Sequence, residues 1–194
     1  MSHIRLLVGL GNPGPSYVET RHNAGQWFIE AIAHDFSIPL KPEKKFFGLT
    51  GKGVVHGQEV HLLIPTTFMN KSGQSIAACA NFFKIPPKDI LIAHDELDID
   101  PGTIRLKQGG GHGGHNGLRD TIARLAGHKD FHRLRIGIGH PGNARDVSKY
   151  VLKKAPKADQ DKMHHVIDEA IRYLPEILSL DHQKAMNHLH SLKG

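Results

Sequence analysis

Cysteine is almost absent. Cys79 is the only one in 194 residues, so no intramolecular disulfide closes any loop. That agrees with a reducing cytoplasmic setting. Cys79 lies among Ile76, Ala77 and Ala80 and reads as a small buried hydrophobe rather than a nucleophile. No apolar run reaches the roughly 20 residues that cross a bilayer, so a membrane protein is not expected. The apolar stretch nearest the N-terminus, Ile4–Leu10, is short, carries Arg5 and runs into Gly11-Asn12-Pro13-Gly14, unlike a signal peptide. No Ser/Gly linker, internal repeat or low-complexity tract divides the chain, which therefore reads as one domain over residues 1–194.

What is present supports a packed core: 39% hydrophobic and 23% charged residues place the chain among globular rather than disordered proteins. The formal net charge of +6, with 16 histidines beyond it, leans modestly toward a polyanionic partner. Residues 4–9 read as a buried strand ended by glycine, and 23–36 as a helix with Ala24, Trp27, Phe28, Ala31 and Ile32 on one stripe. Strands are predicted at 47–55 and 59–64 around a His56-Gly57 turn, at 90–93, at 103–107 and at 134–138. Helices are predicted after Asn70, at 117–125, at 146–152, at 159–178 with a kink or end at Pro175, and at 183–192. Alternating strands and helices imply an α/β fold, a single domain with a mixed, mostly parallel twisted sheet flanked by helices on both faces. In such sheets ligands bind beyond the strand carboxyl ends.

Gly9-Leu10-Gly11-Asn12-Pro13-Gly14 fits the dinucleotide pattern G-x-G-x-x-G. Pro13 and Pro15 bracket its last glycine, and Pro13 drives Asn12 away from helical geometry, so no helix opens there to meet a pyrophosphate. The turn instead presents the Asn12 amide. Thr20-Arg21-His22-Asn23 precedes the first helix, where a lone histidine is ordinarily a cap or surface group. Thr66-Thr67-Phe68-Met69-Asn70 leaves a strand. Asn70 is either a helix cap or, with exposed Phe68 and Met69, the lining of a site. His94-Asp95-Glu96-Leu97-Asp98 is a solvated turn, a metal cluster, or a carboxylate placed to orient an imidazole. Residues 109–117 hold six glycines in nine, at a high backbone-entropy cost that suggests close approach to a ligand. No Gly-Lys-Ser/Thr follows, which excludes a P-loop. His112 and His115 invite a zinc reading, but His-x-x-His is not the i, i+4 helical pair and no cysteine supports it. Arg105 with Lys107, and Arg133 with Arg135, sit at alternate strand positions. Each pair shares a face and could clamp a phosphate.

Taken together, residues 8–14, Tyr17, residues 20–25, 65–73, 94–98, 109–118 and 131–141 resemble bacterial peptidyl-tRNA hydrolase, with the likeness running from about residue 4 to about residue 155. The resemblance implies a monomeric cytoplasmic hydrolase without metal or other cofactor, cutting the ester between a peptide and the 3′-terminal ribose of tRNA. It implies that His22 is the catalytic base and Asp95 its orienting carboxylate, and that Asn12, Asn70 and Asn116 position water and peptide. It further implies that Tyr17, Phe68, Met69, Gly113 and His115 contact substrate, and that Lys107 and Arg135 hold the tRNA 5′-phosphate. Two other readings stay open: a metal-dependent hydrolase using His22, Asp95, His112 and His115, and a non-catalytic RNA-binding protein.

Overall fold

The short apolar run Leu6–Gly9 forms β1, at the centre of a seven-stranded sheet. The computed structural model describes residues 2–192. The other strands are β2 (Lys41–Glu43), β3 (Gly48–Val55), β4 (Gln58–Pro65), β5 (Ile90–Glu96), β6 (Ile104–Gln108) and β7 (His132–Gly137). Their order across the sheet is β2-β3-β4-β1-β5-β7-β6. The central four, β4, β1, β5 and β7, run parallel, while β2, β3 and β6 add antiparallel pairings at the two sides. The helices are α1 (Ala24–Asp35), α2 (Ser72–Phe83), α3 (Asn116–Arg124), α4 (Val147–Val151), α5 (Lys157–Arg172), α6 (Leu174–Leu178) and α7 (His182–Leu189).

Both faces of the central strands are apolar, as parallel strands covered by helices require. The period of two divides them. Leu7, Leu91, Leu134 and Ile136 pack with Phe28 and Ile32 of α1 and with Val166, Ile167 and Ala170 of α5. Leu6, Val8, Ile90 and Ile92 face the other way, against Ile76 of α2 and Leu118 of α3. The expected α/β class, the mixed sheet and the helices on both faces are all found, and Cys79 is buried.

Several boundaries differ from the sequence reading. β5 does not stop at Ala93 but continues through His94, Asp95 and Glu96, because β7 pairs with it as far as Glu96↔Gly137. Asp95 therefore stands on a strand end, not in a solvated turn. A 3-10 turn at Met69–Lys71 precedes α2, so Asn70 caps nothing. The break expected at Pro175 in the helix predicted over 159–178 is found, dividing it into α5 and α6 with Pro175 in the first turn of the second. The short edge strand β2 went unread: Lys41-Pro42-Glu43 has no apolar alternation and carries a proline, which edge strands tolerate.

Candidate active site

Three successive residues, Arg21, His22 and Asn23, form a 3-10 turn between β1 and α1, and all three are buried. Each is tied to a different part of the molecule. Arg21 lays its guanidinium 3.7 Å from the centre of the Tyr150 ring and donates to the Tyr150 carbonyl at 2.9 Å. Its backbone N–H donates to the Lys153 carbonyl at 3.1 Å. Asn23, fully buried, accepts the Asn12 backbone N–H through Oδ1 at 2.9 Å and donates through Nδ2 to the Asn12 carbonyl at 3.0 Å. Between these two anchors His22 has little freedom to move.

The first turn of α1 presses directly on the sheet. A Cβ added to Gly25 would lie 2.1 Å from the Ala93 carbonyl oxygen, and one added to Gly9 would lie 2.4 Å from the Gly25 carbonyl oxygen. Only glycines permit this approach, and it carries His22 to the end of β5. There His22 Nδ1 lies 2.9 and 3.0 Å from the two carboxylate oxygens of Asp95, which is 3% exposed. The imidazole from residue 22 and the carboxylate from residue 95 thus meet, 73 positions apart in the chain.

Asp95 has a second imidazole partner. His115 Nε2 lies 2.8 Å from Asp95 Oδ1. The His115 ring also caps α3, its Nδ1 accepting the N–H groups of Gly117 and Leu118 at 3.1 and 3.4 Å. A nitrogen that accepts carries no proton, so the His115 proton is on Nε2 and is donated to Asp95. The carboxylate accepts from both sides and is left no reason to protonate. Burial opposes its ionisation, but His22 and His115, bonded to it from both sides, hold its pKa well below the usual carboxylate range. Burial likewise opposes charging of His22, but Asp95 outweighs it and raises that pKa above the ordinary 6.5. With Nδ1–H bound to Asp95, neutral His22 keeps its lone pair on Nε2. His94, on the opposite face of β5, donates from Nδ1 to the Asp95 carbonyl at 2.8 Å. Burial, then the neighbouring His115, lower its pKa to about 4, so it is neutral.

Of the three amide residues, Asn116 lines the cavity beside this pair and Asn12 is bonded to Asn23, the neighbour of His22. Asn12 Oδ1 accepts the Met69 N–H at 2.7 Å, which leaves Nδ2 as the donor available to a ligand. Asn70 is exposed on its 3-10 turn. Asn116 opens α3 and accepts from Arg119 Nη1 at 2.7 Å, a partner not foreseen from sequence. Tyr17 and Phe68 meet edge to face with ring centres 6.3 Å apart, and Phe68 is 57% exposed. Met69 departs from the expectation of an exposed wall. It is buried at 4%, with the chain folded so that a Cβ on Gly117 would lie 2.7 Å from its Sδ.

A cavity of about 270 Å³ opens beside His22, Asp95 and His115. It is also lined by Leu97, within the motif at 94–98, and by Ala144, Val147 and Val151, which the sequence did not mark as part of a site. A second cavity of about 320 Å³ is lined by Lys107, Arg133 and Arg135 together with Glu96 and Gly111. The register Arg105↔Arg135 and Lys107↔Arg133 across β6 and β7 puts all four basic side chains on one sheet face, since directly paired residues point the same way. They are not equivalent. Arg133 is buried and donates to the carbonyls of Gly110 and Gly111, pinning the glycine-rich loop. Arg135 is held by Glu96 at 2.8 Å. Lys107 is exposed.

Among the described residues, His22, Asp95 and His115 are the one group of histidine, cysteine and carboxylate ligands close enough to share a cation, with ligand atoms within 4.8 Å of one another. His112 is not in it; its Nδ1 accepts the Gly114 N–H at 2.9 Å. A metal needs a lone pair on each ligating nitrogen, whereas His115 Nδ1 is used by the α3 cap and Nε2 carries the proton. The four-ligand metal reading therefore does not fit this donor set.

The peptidyl-tRNA hydrolase family model matches residues 6–194. A peptidyl-tRNA hydrolase of Pseudomonas putida (strain GB-1) is 60% identical over 194 residues, covering all of both chains. One from Shewanella frigidimarina is 56% identical, again over all of both. The crystal structure of peptidyl-tRNA hydrolase from Acinetobacter baumannii superposes with a TM-score of 0.96 at 52% identity, covering 100% of this chain and 97% of that one.

Proposed function

The chain belongs to the peptidyl-tRNA hydrolase family, and from that footing we propose how its own residues carry the reaction. The reaction is hydrolysis of the ester between a peptide and the 3′-terminal ribose of tRNA, giving free tRNA and free peptide. His22 Nε2 removes a proton from water as the water oxygen attacks the ester carbonyl. The bond to the ribose oxygen then breaks, and that oxygen leaves with the proton. Base assistance of this kind contributes about 10²–10⁴-fold. Asp95 fixes the His22 tautomer and stabilises the imidazolium that forms. His115 is a positioning residue that holds Asp95 from the other side.

Asn12, Asn70 and Asn116 supply uncharged donors and acceptors for the water, the peptide backbone and the developing oxyanion. Tyr17 and Phe68 form the peptide wall, and Met69 acts behind it by delivering its N–H to Asn12. Lys107 and Arg135 hold a phosphate of the tRNA, and Gly113 lets the loop approach substrate. Recognition by amides and phosphate contacts tolerates any peptide sequence. We further propose that the whole chain acts as one catalytic domain, as a monomer, in the cytoplasm. No helix among the described residues is long and apolar enough to cross a membrane.

The observation that carries this reading is the His22–Asp95 hydrogen bond at 2.9 Å beside an open cavity. The test is His22→Ala assayed on peptidyl-tRNA. A fall in kcat of about 10²–10⁴-fold with tRNA affinity retained is expected. Near-normal turnover would assign the base elsewhere. Full wild-type activity in excess chelator is the matching expectation for the metal-free donor set.

A further inference from the structure

We propose that the cavity where β4 ends and β3 begins binds the third and fourth residues of the peptide, counted from the ester, through their apolar side chains. The proposal rests on the reading of Tyr17 and Phe68 as the peptide wall, which Phe68→Ala tests separately. The carboxyl ends of β4, β1 and β5 form one rim, because the three strands run parallel. β3 starts at the same rim, since Gly48 pairs with Pro65. Asp95 stands at the end of β5, Asn12 follows β1, and Thr66-Thr67-Phe68 follow β4. Beside that last segment lies a cavity of about 430 Å³, lined by Pro42, Phe47, Thr66 and Thr67, with Glu43 and Lys44 also on its surface. It shares no lining residue with the cavity of His22 or with that of Lys107 and Arg135. Its size falls within the about 300–1,000 Å³ of small-ligand pockets.

The sheet order gives the direction and the distance. Lys107 and Arg135 belong to β6 and β7, on one side of the catalytic pair, and β1, β4 and β3 follow on the other. With phosphates toward the cations, the peptide runs toward β4. Neighbouring strands lie about 4.8 Å apart, so β4 is about 10 Å and β3 about 14 Å from β5 across the rim. An extended chain advances about 3.3–3.6 Å per residue. A peptide whose ester carbonyl is at His22, and which passes Phe68, therefore meets this cavity with its third and fourth residues.

The conformation of Phe47 is costly. Its φ of +51° and ψ of +42° lie in the left-handed region, which a bulky side chain enters only under strain. The backbone is held there from both ends. Its N–H donates to the Lys44 carbonyl at 3.1 Å, and its carbonyl accepts the Thr66 N–H at 2.9 Å and the Thr66 hydroxyl at 3.1 Å. The core offers the ring little in return, for Phe47 remains 42% exposed. Glycine takes this conformation freely. Phenylalanine instead places an aromatic ring at the cavity. Phe68, also exposed, stands just beyond Thr66-Thr67, so two uncovered rings flank the segment that the peptide must cross. Such a surface distinguishes apolar area from its absence and selects no particular sequence, so the enzyme still accepts many peptides.

The test compares two N-acetyl-tetrapeptidyl-tRNAs that share alanyl-alanine next to the ester and carry either leucine or glycine at both the third and fourth positions. Wild type is expected to favour the leucine substrate in kcat/KM by about 10-fold or more, the discrimination an apolar pocket gives between side chains differing by a few methylenes. Phe47→Ala is expected to bring the two substrates to equal kcat/KM by slowing only the leucine one. The glycine substrate, cleaved at the wild-type rate, then also reports on folding. Equal kcat/KM for the two substrates in wild type, an undiminished preference in Phe47→Ala, or an equal loss on both in that variant would overturn the proposal. Phe68→Ala is expected to slow both substrates alike, and no effect on either would contradict the peptide wall itself. A titration of wild type with the free N-acetylated leucyl-leucyl-alanyl-alanine peptide, read by backbone amide shifts, decides independently of turnover. Shifts that include Phe47, Gly48 and Thr67 support the site, and shifts that leave all three unmoved overturn it.

Discussion

At the scale of the residue, the site is a chain of proton assignments. His115 cannot donate from Nδ1, so it donates from Nε2, and Asp95 is left to accept from both imidazoles. The raised His22 pKa has opposite signs for stability and for catalysis. The charged His22–Asp95 pair stabilises the fold fully below pH 6.5 and loses that contribution as pH rises through the raised folded value. In the proposed role as base His22 acts as the neutral ring, so catalysis is expected to strengthen over the same rise. His132 behaves in the reverse sense. Burial, then its neighbour His182, lower its pKa to about 4. Unfolded His132 binds a proton below about pH 6.5 that the folded ring refuses, so stability is lost as pH falls from there toward 4. His132→Phe keeps an aromatic ring without that protonation. Its melting temperature is expected to drop less than wild type between pH 6.5 and pH 4, and an identical drop would remove His132 as a source of acid lability. Residue chemistry of this kind was partly legible in the sequence, which singled out His22 and Asp95. Asn23, Arg21 and Arg119 carried no such mark, because a polar residue in a loop looks the same whether it is buried and bonded or solvated.

At the scale of the element, the active site depends on how closely α1 approaches β5. The sequence marks Gly9 as a strand end, but nothing in it marks Gly25, an ordinary helix residue by pattern, as a contact to Ala93. Gly25→Ala places a methyl 2.1 Å from that carbonyl and must push the helix away. A loss of about 1–3 kcal/mol in denaturant unfolding is expected, together with a fall in kcat larger than the change in KM. Unchanged stability and rate would mean the packing is softer than the geometry implies. Long apolar elements were readable because their periodicity is set by burial. The extension of β5 through His94-Asp95-Glu96 was not, since its polar residues are held in the strand by pairing with β7, a partner 41 residues later. The same holds for the α4 wall. Val147 and Val151 fall in a segment read only as a helix over 146–152, and only the tertiary fold brings them to the cavity beside His22.

At the scale of the whole molecule, a net charge of +6 becomes useful only where the sheet register gathers it. Arg105, Lys107, Arg133 and Arg135 share one face by cross-strand pairing, yet Glu96 already neutralises part of Arg135. Lys107→Ala is therefore expected to lower the slope of log affinity for tRNA against log salt by about 1. Arg135→Ala is expected to lower it by less, since Glu96 already offsets part of the Arg135 charge. Equal slopes in wild type and Lys107→Ala would exclude a phosphate contact for Lys107. Sequence reading saw two basic pairs but could not separate their duties. Arg133 has loop carbonyls within reach and Arg135 has Glu96, a difference made by the fold.

The arrangement of the catalytic pair is tested most directly by the pH dependence of kcat/KM for peptidyl-tRNA cleavage, in wild type and in Asp95→Asn. In wild type the acid limb is expected above pH 6.5, the ordinary histidine value, because Asp95 raises His22. Asp95→Asn is expected to move that limb to lower pH and to reduce the plateau by about 10³-fold or more, through loss of the correct tautomer. An acid limb that stays in place when Asp95 is neutralised, with the plateau intact, would show that His22 does not act through this carboxylate.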